Sequence, residues 1–469
     1  MESKGGPEPQ LVGNVHLSLY GRYREMLKSL RNPKSLAVAL ATSAAILAGT
    51  ALGQNLVTPD RIGNADAATT ITWAGRQTLS HQIANPDLAA HFEQAFQDWA
   101  ERHPDFKIEL SIMAGDGNEA MARLLEQTTA GRQPDFALID SFFLSTFAPY
   151  LQPIGDYLPE GEFEDFVPFA REGVVFDDEV KALWITTDVR ALYYNTEIVD
   201  TPPTTWDEMF ETGKALADEG YVAYVFPGGR GEGAVMENLP MFWSQGGRLV
   251  DEDGRPVFNE GENRTAMLNV LYYLRDLVDE GVSPTRVTTF GNGSDLNPDI
   301  ASGQVAMFLG GSWILGQLPN LLGDEEAANW HFAPIPNMTA DLPLSTAVGG
   351  WAIGVLTEDA AKQEAIVDFI QTVYSGYEGM AGLASNGSLL PTRTSVASYD
   401  DPYFEADDTR EFSAMTEYGR PRPGAPIYPT ISTELQVAIS DTISGRKSAE
   451  EALDDAWNRV LEEHTAQQQ

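Results

Sequence analysis

Residues 182–209 read ALWITTDVRALYYNTEIVDTPPTTWDEM. Ala182–Ile185 and Ala191–Tyr194 are apolar, rich in β-favouring side chains and read as strands, with Thr186–Arg190 between them. Pro202–Pro203 breaks the run, because proline lacks the donor an extended ladder or a helix needs. Thr205 then stands as the N-cap of a helix expected to run through Ala217. The stretch is therefore strand, polar connection, strand, break and helix.

Upstream the same alternation repeats. Thr69–Ala74 (TTITWA) reads as a strand. Asn85–Pro86 fits a helix cap and first position, and Leu88, Phe92, Phe96 and Trp99 recur at helical spacing. Phe106, Ile108, Leu110 and Ile112 alternate as a strand. A helix follows over about Asn118–Ala130, then a short apolar strand, Asp135–Asp140 (DFALID). This β-α-β-α-β order predicts a mainly parallel sheet with crossover helices. Downstream, Met236–Ser244, Glu262–Glu280, Ala360–Tyr374 and Ala449–Glu463 read as helices, and Ala306–Leu309 and Ala352–Val355 as strands. Asp251–Gly254 is a hairpin signal, lacking the full spacing of a calcium loop.

The 469 residues hold 30 basic and 69 acidic side chains, a formal charge of −39. Phosphate binding needs a cationic surface, so nucleic acid is excluded as a default partner. Cysteine is absent, which excludes disulfides, thiol catalysis and cysteine-held metal. The six histidines never show metal spacing, and no phosphate-binding loop or nucleophile elbow occurs. Gly228–Gly233 (GGRGEG) reads as a flexible surface loop. Residues 1–53 carry +3, leaving −42 for the rest. Their basic residues precede the uncharged stretch Leu36–Leu52, the pattern of a secretory signal peptide or an uncleaved signal anchor. Residues 54–68 lack periodicity and read as a linker.

Four of the nine tryptophans stand at element ends beside turn residues: Trp73, Trp243, Trp313 and Trp351. An indole face stacks on the apolar face of a sugar ring while carboxylates accept its hydroxyl protons. Core packing is the competing reading for each.

Five blocks together carry a resemblance. Ala182–Met209, Ser302–Leu315 (SGQVAMFLGGSWIL), Val348–Val355 (VGGWAIGV), Ser388–Arg393 (SLLPTR) and Ile443–Val460 follow one another as in the family-1 extracellular solute-binding proteins of ABC importers. The chain resembles most the maltose and oligosaccharide type. The resemblance implies an α/β, two-lobe periplasmic-binding-protein fold of type II-like topology, with a ligand cleft between hinged lobes. It places chain crossings near Thr187–Val189, Gly303–Ala306 and Ala347–Gly350. One lobe is then 69–188 plus 304–347, the other 189–303 plus 348–463, with 464–469 as a tail.

It implies no catalysis, no cofactor and no metal. The expected partners are a sugar ligand and the importer's permease subunits. The expected state is an exported monomer that meets the membrane only through the transporter or an N-terminal anchor. Its ligand-binding candidates are Trp73, Asp140, Asp188, Trp243, Trp313, Trp351, Arg393 and Tyr428. Asp188 matches a polar hinge position. Trp313 matches the family's Gly-Pro-Trp-like turn, with Ser312 where proline is usual. Tyr428 is the nearest aromatic to the one that precedes the C-terminal helix in maltose-type members. The alternatives are a polyamine, iron or other non-sugar solute on the same fold, the iron idea resting on Tyr193–Tyr194, or a secreted carbohydrate-active enzyme.

Overall fold

In the computed structural model, which describes residues 55–115 and 117–468, Thr69–Gly75 and Phe106–Ile112 lie side by side in parallel. Numbered in chain order, the strands are β1 (Val57–Thr58), β2 (Arg61–Gly63), β3 (Thr69–Gly75), β4 (Phe106–Ile112), β5 (Phe136–Asp140), β6 (Val175–Phe176), β7 (Glu179–Val180), β8 (Ala182–Asn195), β9 (Val222–Val225), β10 (Val305–Gly311), β11 (Trp330–Ala333), β12 (Thr346–Val355) and β13 (Gly419–Pro421). The main sheet runs β1-β2-β4-β3-β5-β12-β8-β10-β9, with β11 on β8 and β13 on β12. Helices Pro86–Arg102 and Gly117–Thr129 make the crossovers from β3 to β4 and from β4 to β5. The first begins as its sequence dictates. Asn85 accepts hydrogen bonds from the Asp87 and Leu88 amides, Pro86 takes the first position, and Leu88, Phe92, Phe96 and Trp99 are buried.

The two strands expected within 182–194 are one. β8 is continuous, its first part paired with β12 (Ala182 to Gly354, Val189 to Val348) and its second with β10 (Arg190 to Gly311). Thr186 and Thr187 are β-branched and stay in the ladder, so the polar stretch between the apolar runs is strand too. β12 in turn lies between β5 and β8, with Trp351 opposite Asp140 and Thr186.

Gly350 has φ +134°, a conformation open to glycine, and a Cβ there would collide with the Thr186 carbonyl oxygen. This close approach lets β12 cross the middle of the sheet.

Several expectations are corrected. The stretch expected as a linker contains β1 and β2, with β2 antiparallel to β4. β10, expected with the first lobe, is paired with β8 and β9. β12, expected with the second lobe from Val348 onward, is paired with β5. The chain near Gly303–Ala306 turns into β10 within that sheet region rather than crossing out of it. The expected tail is helical to Gln467, as the end of Ala449–Gln467. The signal-peptide or anchor reading of 1–53 lies outside the described residues. Among the described residues, no helix is long and apolar enough to cross a membrane.

Candidate functional site

The carboxyl end of β5, the middle of β8 and the middle of β12 converge on one cleft of about 370 Å³. Open α/β sheets place ligands at strand carboxyl ends. The wall includes Asp140, Asp188, Arg190, Trp313, Trp351 and Arg422. Glu232 and Glu237 face it from the segment after β9.

Two guanidiniums organise the carboxylates. Arg422 donates from Nη2 to Asp140 at 2.7 Å and from Nη1 to Glu232 at 3.0 Å, and lies 4.1 Å over the Phe142 ring. Burial opposes its charge, but Asp140 and Glu232 outweigh that and hold its pKa above the ordinary value. The Tyr428 hydroxyl donates to Glu232 at 2.8 Å, and Ser432 donates to the other oxygen. Arg190 pairs with Asp188, and its Nε lies 3.9 Å from Glu237.

Burial pushes Asp140 up to about 6; Arg422 opposes this, and Glu232 and Asp188 add to it. Burial likewise pushes Glu237 up to about 8, opposed by Arg190 and reinforced by Asp188. Near neutral pH Glu237 is therefore protonated. The lining then holds Arg76, Arg190 and Arg422 against Asp140, Asp188 and Glu232, a balanced set within a strongly acidic chain.

Both cleft indoles are partly exposed. Arg76 sits over the Trp351 ring at 5.4 Å and Arg190 over Trp313 at 4.6 Å. A Cβ on Gly311 would collide with the Trp313 ring, so this glycine lets the indole lie flat on the strand end.

A profile described as bacterial extracellular solute-binding protein matches residues 85–376, more than half of the chain. The chain belongs to this family. A binding protein of Brucella abortus (strain 2308) is 22% identical over 399 residues, covering 81% of this chain and 91% of that one. Maltose-bound MalE3 of T. maritima superposes with a TM-score of 0.71 at 23% identity, covering 84% of this chain and 99% of the other. The GacH receptor of Streptomyces glaucescens, solved unliganded and with acarbose and an acarbose homolog, gives 0.70 at 21%, covering 85% and 99%. The fold is the two-lobe α/β architecture of these binding proteins.

In this solute-binding protein, four of the eight sequence candidates line the cleft: Asp140, Asp188, Trp313 and Trp351. The other four do not line it. Trp73 is 1% exposed, stacked on Phe136 at 5.5 Å with Phe96 and Phe369 at its edges. Trp243 is 4% exposed, inside the core on helix Leu239–Ser244. Arg393 pairs with Glu162 at 2.9 Å and Asp165 at 2.8 Å and donates to the Ser375 carbonyl. Tyr428 is fully buried and acts on the cleft only by orienting Glu232. Tyr193, half of the iron-type alternative, uses its hydroxyl on the Gly311 carbonyl at 2.8 Å.

Sequence reasoning missed Arg76, Arg190, Glu232, Glu237 and Arg422. Glu232 lies within the GGRGEG stretch and Glu237 four residues after it, and the stretch is not a surface loop. Gly228, Gly229 and Gly231 are buried against the backbone of 287–291, and a Cβ on Gly229 would lie 2.9 Å from the Thr288 carbonyl oxygen. The glycine run was the available signal. Backbone packed that closely fixes the side chains that follow it.

Proposed function

We propose that this chain is the extracytoplasmic receptor of an ABC importer, binding an uncharged sugar or short oligosaccharide in the cleft and handing it to the permease subunits. The observation that carries this reading is the lining itself. Two partly exposed indoles share one cleft with three guanidiniums, three carboxylates and Glu237, which burial holds toward its neutral form. Pyranose faces suit indoles, hydroxyls suit carboxylates and guanidiniums, and charge balance favours a neutral solute. The sugars bound by the T. maritima and S. glaucescens relatives agree with it. A binding role without catalysis, an exported location and a monomeric state belong to the same proposal.

The strand pairing supports a lobe division of 57–188 plus 348–401 against 190–346 plus 407–467. Trp99 donates to the Ala365 carbonyl on the first side, and Phe412 stacks on Phe332 on the second. Hinge bending at β8 and β12 is the motion such a division allows.

Thermal melts with glucose, maltose, maltotriose and acarbose test the reading. A ligand at about 100 times its Kd adds roughly 2.7 kcal/mol to the folded state and raises the melting point. A flat response to all four, with a shift from spermidine, would replace the sugar reading by a polycation one.

Trp351→Ala should weaken binding of the active saccharide by roughly 2 kcal/mol or more, about 30-fold, as for a buried aromatic anchor. Calorimetric titration reads it. Unchanged affinity in a folded variant removes Trp351 from the site.

A further inference from the structure

Asp140 and Arg422 lie on opposite sides of the lobe division, one at the end of β5 and the other just beyond β13. The second lobe fixes the guanidinium. Glu232 accepts from Arg422 Nη1 at 3.0 Å and is itself held by the Tyr428 hydroxyl at 2.8 Å and by Ser432. The first lobe supplies the seat, with the Asp140 carboxylate at 2.7 Å and the Phe142 ring at 4.1 Å. This joint is nearly closed to solvent, the side chains being 5% exposed for Arg422, 14% for Asp140 and 13% for Glu232. Arg422 is thus a peg carried by one lobe and set on the other. Bending at β8 and β12 that parts the lobes draws the peg off Asp140 and leaves it on Glu232.

Covering Asp140 also brings like charges to it. Glu232 arrives with Arg422, and Asp188 reaches the same place from β8. A Cβ on Gly349 would lie 3.2 Å from Arg422 Nη2 and 3.4 Å from Asp188 Oδ1. We propose that Asp140 couples lobe closure to the uptake of one proton, so that acid favours the closed form and alkali the open one. This rests on the lobe division and on no particular solute. With the lobes parted, water surrounds the carboxyl and its pKa returns to the ordinary 3.8. In the joint, burial pushes it up to about 6; Arg422 opposes this, and Glu232 and Asp188 add to it. A group whose pKa is higher in the closed form stabilises that form fully below the open value, and the gain is lost as pH climbs through the closed one. The closed-to-open ratio should therefore rise about tenfold between pH 8 and pH 5.

The other charges around the joint are engaged or remote. Asp188 pairs with Arg190, which Glu237 also faces. Burial keeps Tyr428 neutral. Arg76 lies over the Trp351 ring, Arg420 on β13 is exposed, and Glu119 pairs with Arg123 at 3.8 Å on the surface. β3, β12 and Ser141–Phe147 carry no titratable side chain, and Asp116 lies outside the described residues.

The chain has no cysteine, so added ones are the sole labelling sites. Ala90→Cys and Ala215→Cys place an exposed site on each lobe, on helices Pro86–Arg102 and Trp206–Asp218. Ala130→Cys with Ala215→Cys gives a second pair. Single-molecule energy transfer between dyes, with no solute added, counts closed and open molecules from pH 8 to pH 5. The ratio should rise about tenfold more with Asp140 in place than in Asp140→Asn, which keeps the shape of the protonated acid and cannot titrate. Glu237 titrates in both proteins and cancels. A cooperative melt checks each fold, and Asp140→Ser, equally unable to titrate, replaces an amide variant that fails to fold. A level ratio with Asp140 in place, or an equal rise in the variant, overturns the coupling. If saturating maltose or maltotriose still moves the dyes, the lobe division stands without it. Dyes unmoved by pH and by every solute active in the melts overturn both.

Discussion

Arg422→Met is expected to lower folding stability by about 3–5 kcal/mol, the usual cost of removing one partner from a buried ion pair. The guanidinium is buried and holds two carboxylates from distant parts of the sheet, Asp140 at the end of β5 and Glu232 beyond β9. Methionine fills much of the volume but leaves both acids inside without a counter-charge. Asp140, already up at about 6 with Arg422 opposing its protonation, should then be protonated at neutral pH. The triple variant Arg422→Met, Asp140→Asn, Glu232→Gln should recover a good part of the loss, because replacing all members of a buried charge set costs far less than orphaning some. Denaturant melts of the two proteins decide it. A single variant as stable as wild type would show that the network contributes nothing net, and an equally unstable triple variant would place the cost in packing over Phe142.

The strands and helices were largely legible because periodicity is a local signal. The Asn85 cap, the buried stripe from Leu88 to Trp99 and the alternation of Phe106–Ile112 all stand where the residues put them. The family was legible in its motif blocks. Strand order was not, because nothing local in Val305–Gly311 says that it pairs with β9 rather than with the N-terminal unit. The site was half legible for a related reason. Nearby glycines point to Trp313 and Trp351 but equally to Trp73 and Trp243; the expected element ends are not there for Trp351, inside β12, or Trp73, inside β3, and only packing tells an indole on a cleft from one among phenylalanines. Arg422 and Glu232 lie 190 residues apart and meet only in three dimensions. Among 69 acidic residues the sequence picked out Asp140 and Asp188 but not Glu232 or Glu237, which stand out only through pairing and burial.

Glu237→Gln should become progressively more stable than wild type as pH rises from about 4.5 to about 8, and the gap should then widen no further. The folded-state pKa of Glu237 lies above its ordinary 4.5, so the stabilising contribution of its proton is complete below 4.5 and lost as pH climbs through about 8. Between those limits the loss approaches roughly 5 kcal/mol, with about 3 kcal/mol of it already present at pH 7. Glutamine does not titrate and keeps the neutral form's shape.

The groups whose charge bears on Glu237 are Arg190, which favours ionisation, and Asp188, which resists it; Tyr193 and Tyr224 feel its charge in turn, and burial raises both well beyond the window. His81 and His91, lowered by burial, give the opposite slope, with stability lost as pH falls through their pKa values, but they do so in both proteins and cancel in the difference. Paired denaturant melts at pH 5, 6, 7, 8 and 9 measure the gap. A constant gap would mean that Arg190 swings from its 3.9 Å separation to pair fully with an ionised Glu237. Glu237 would then line the cleft as an anion paired with Arg190.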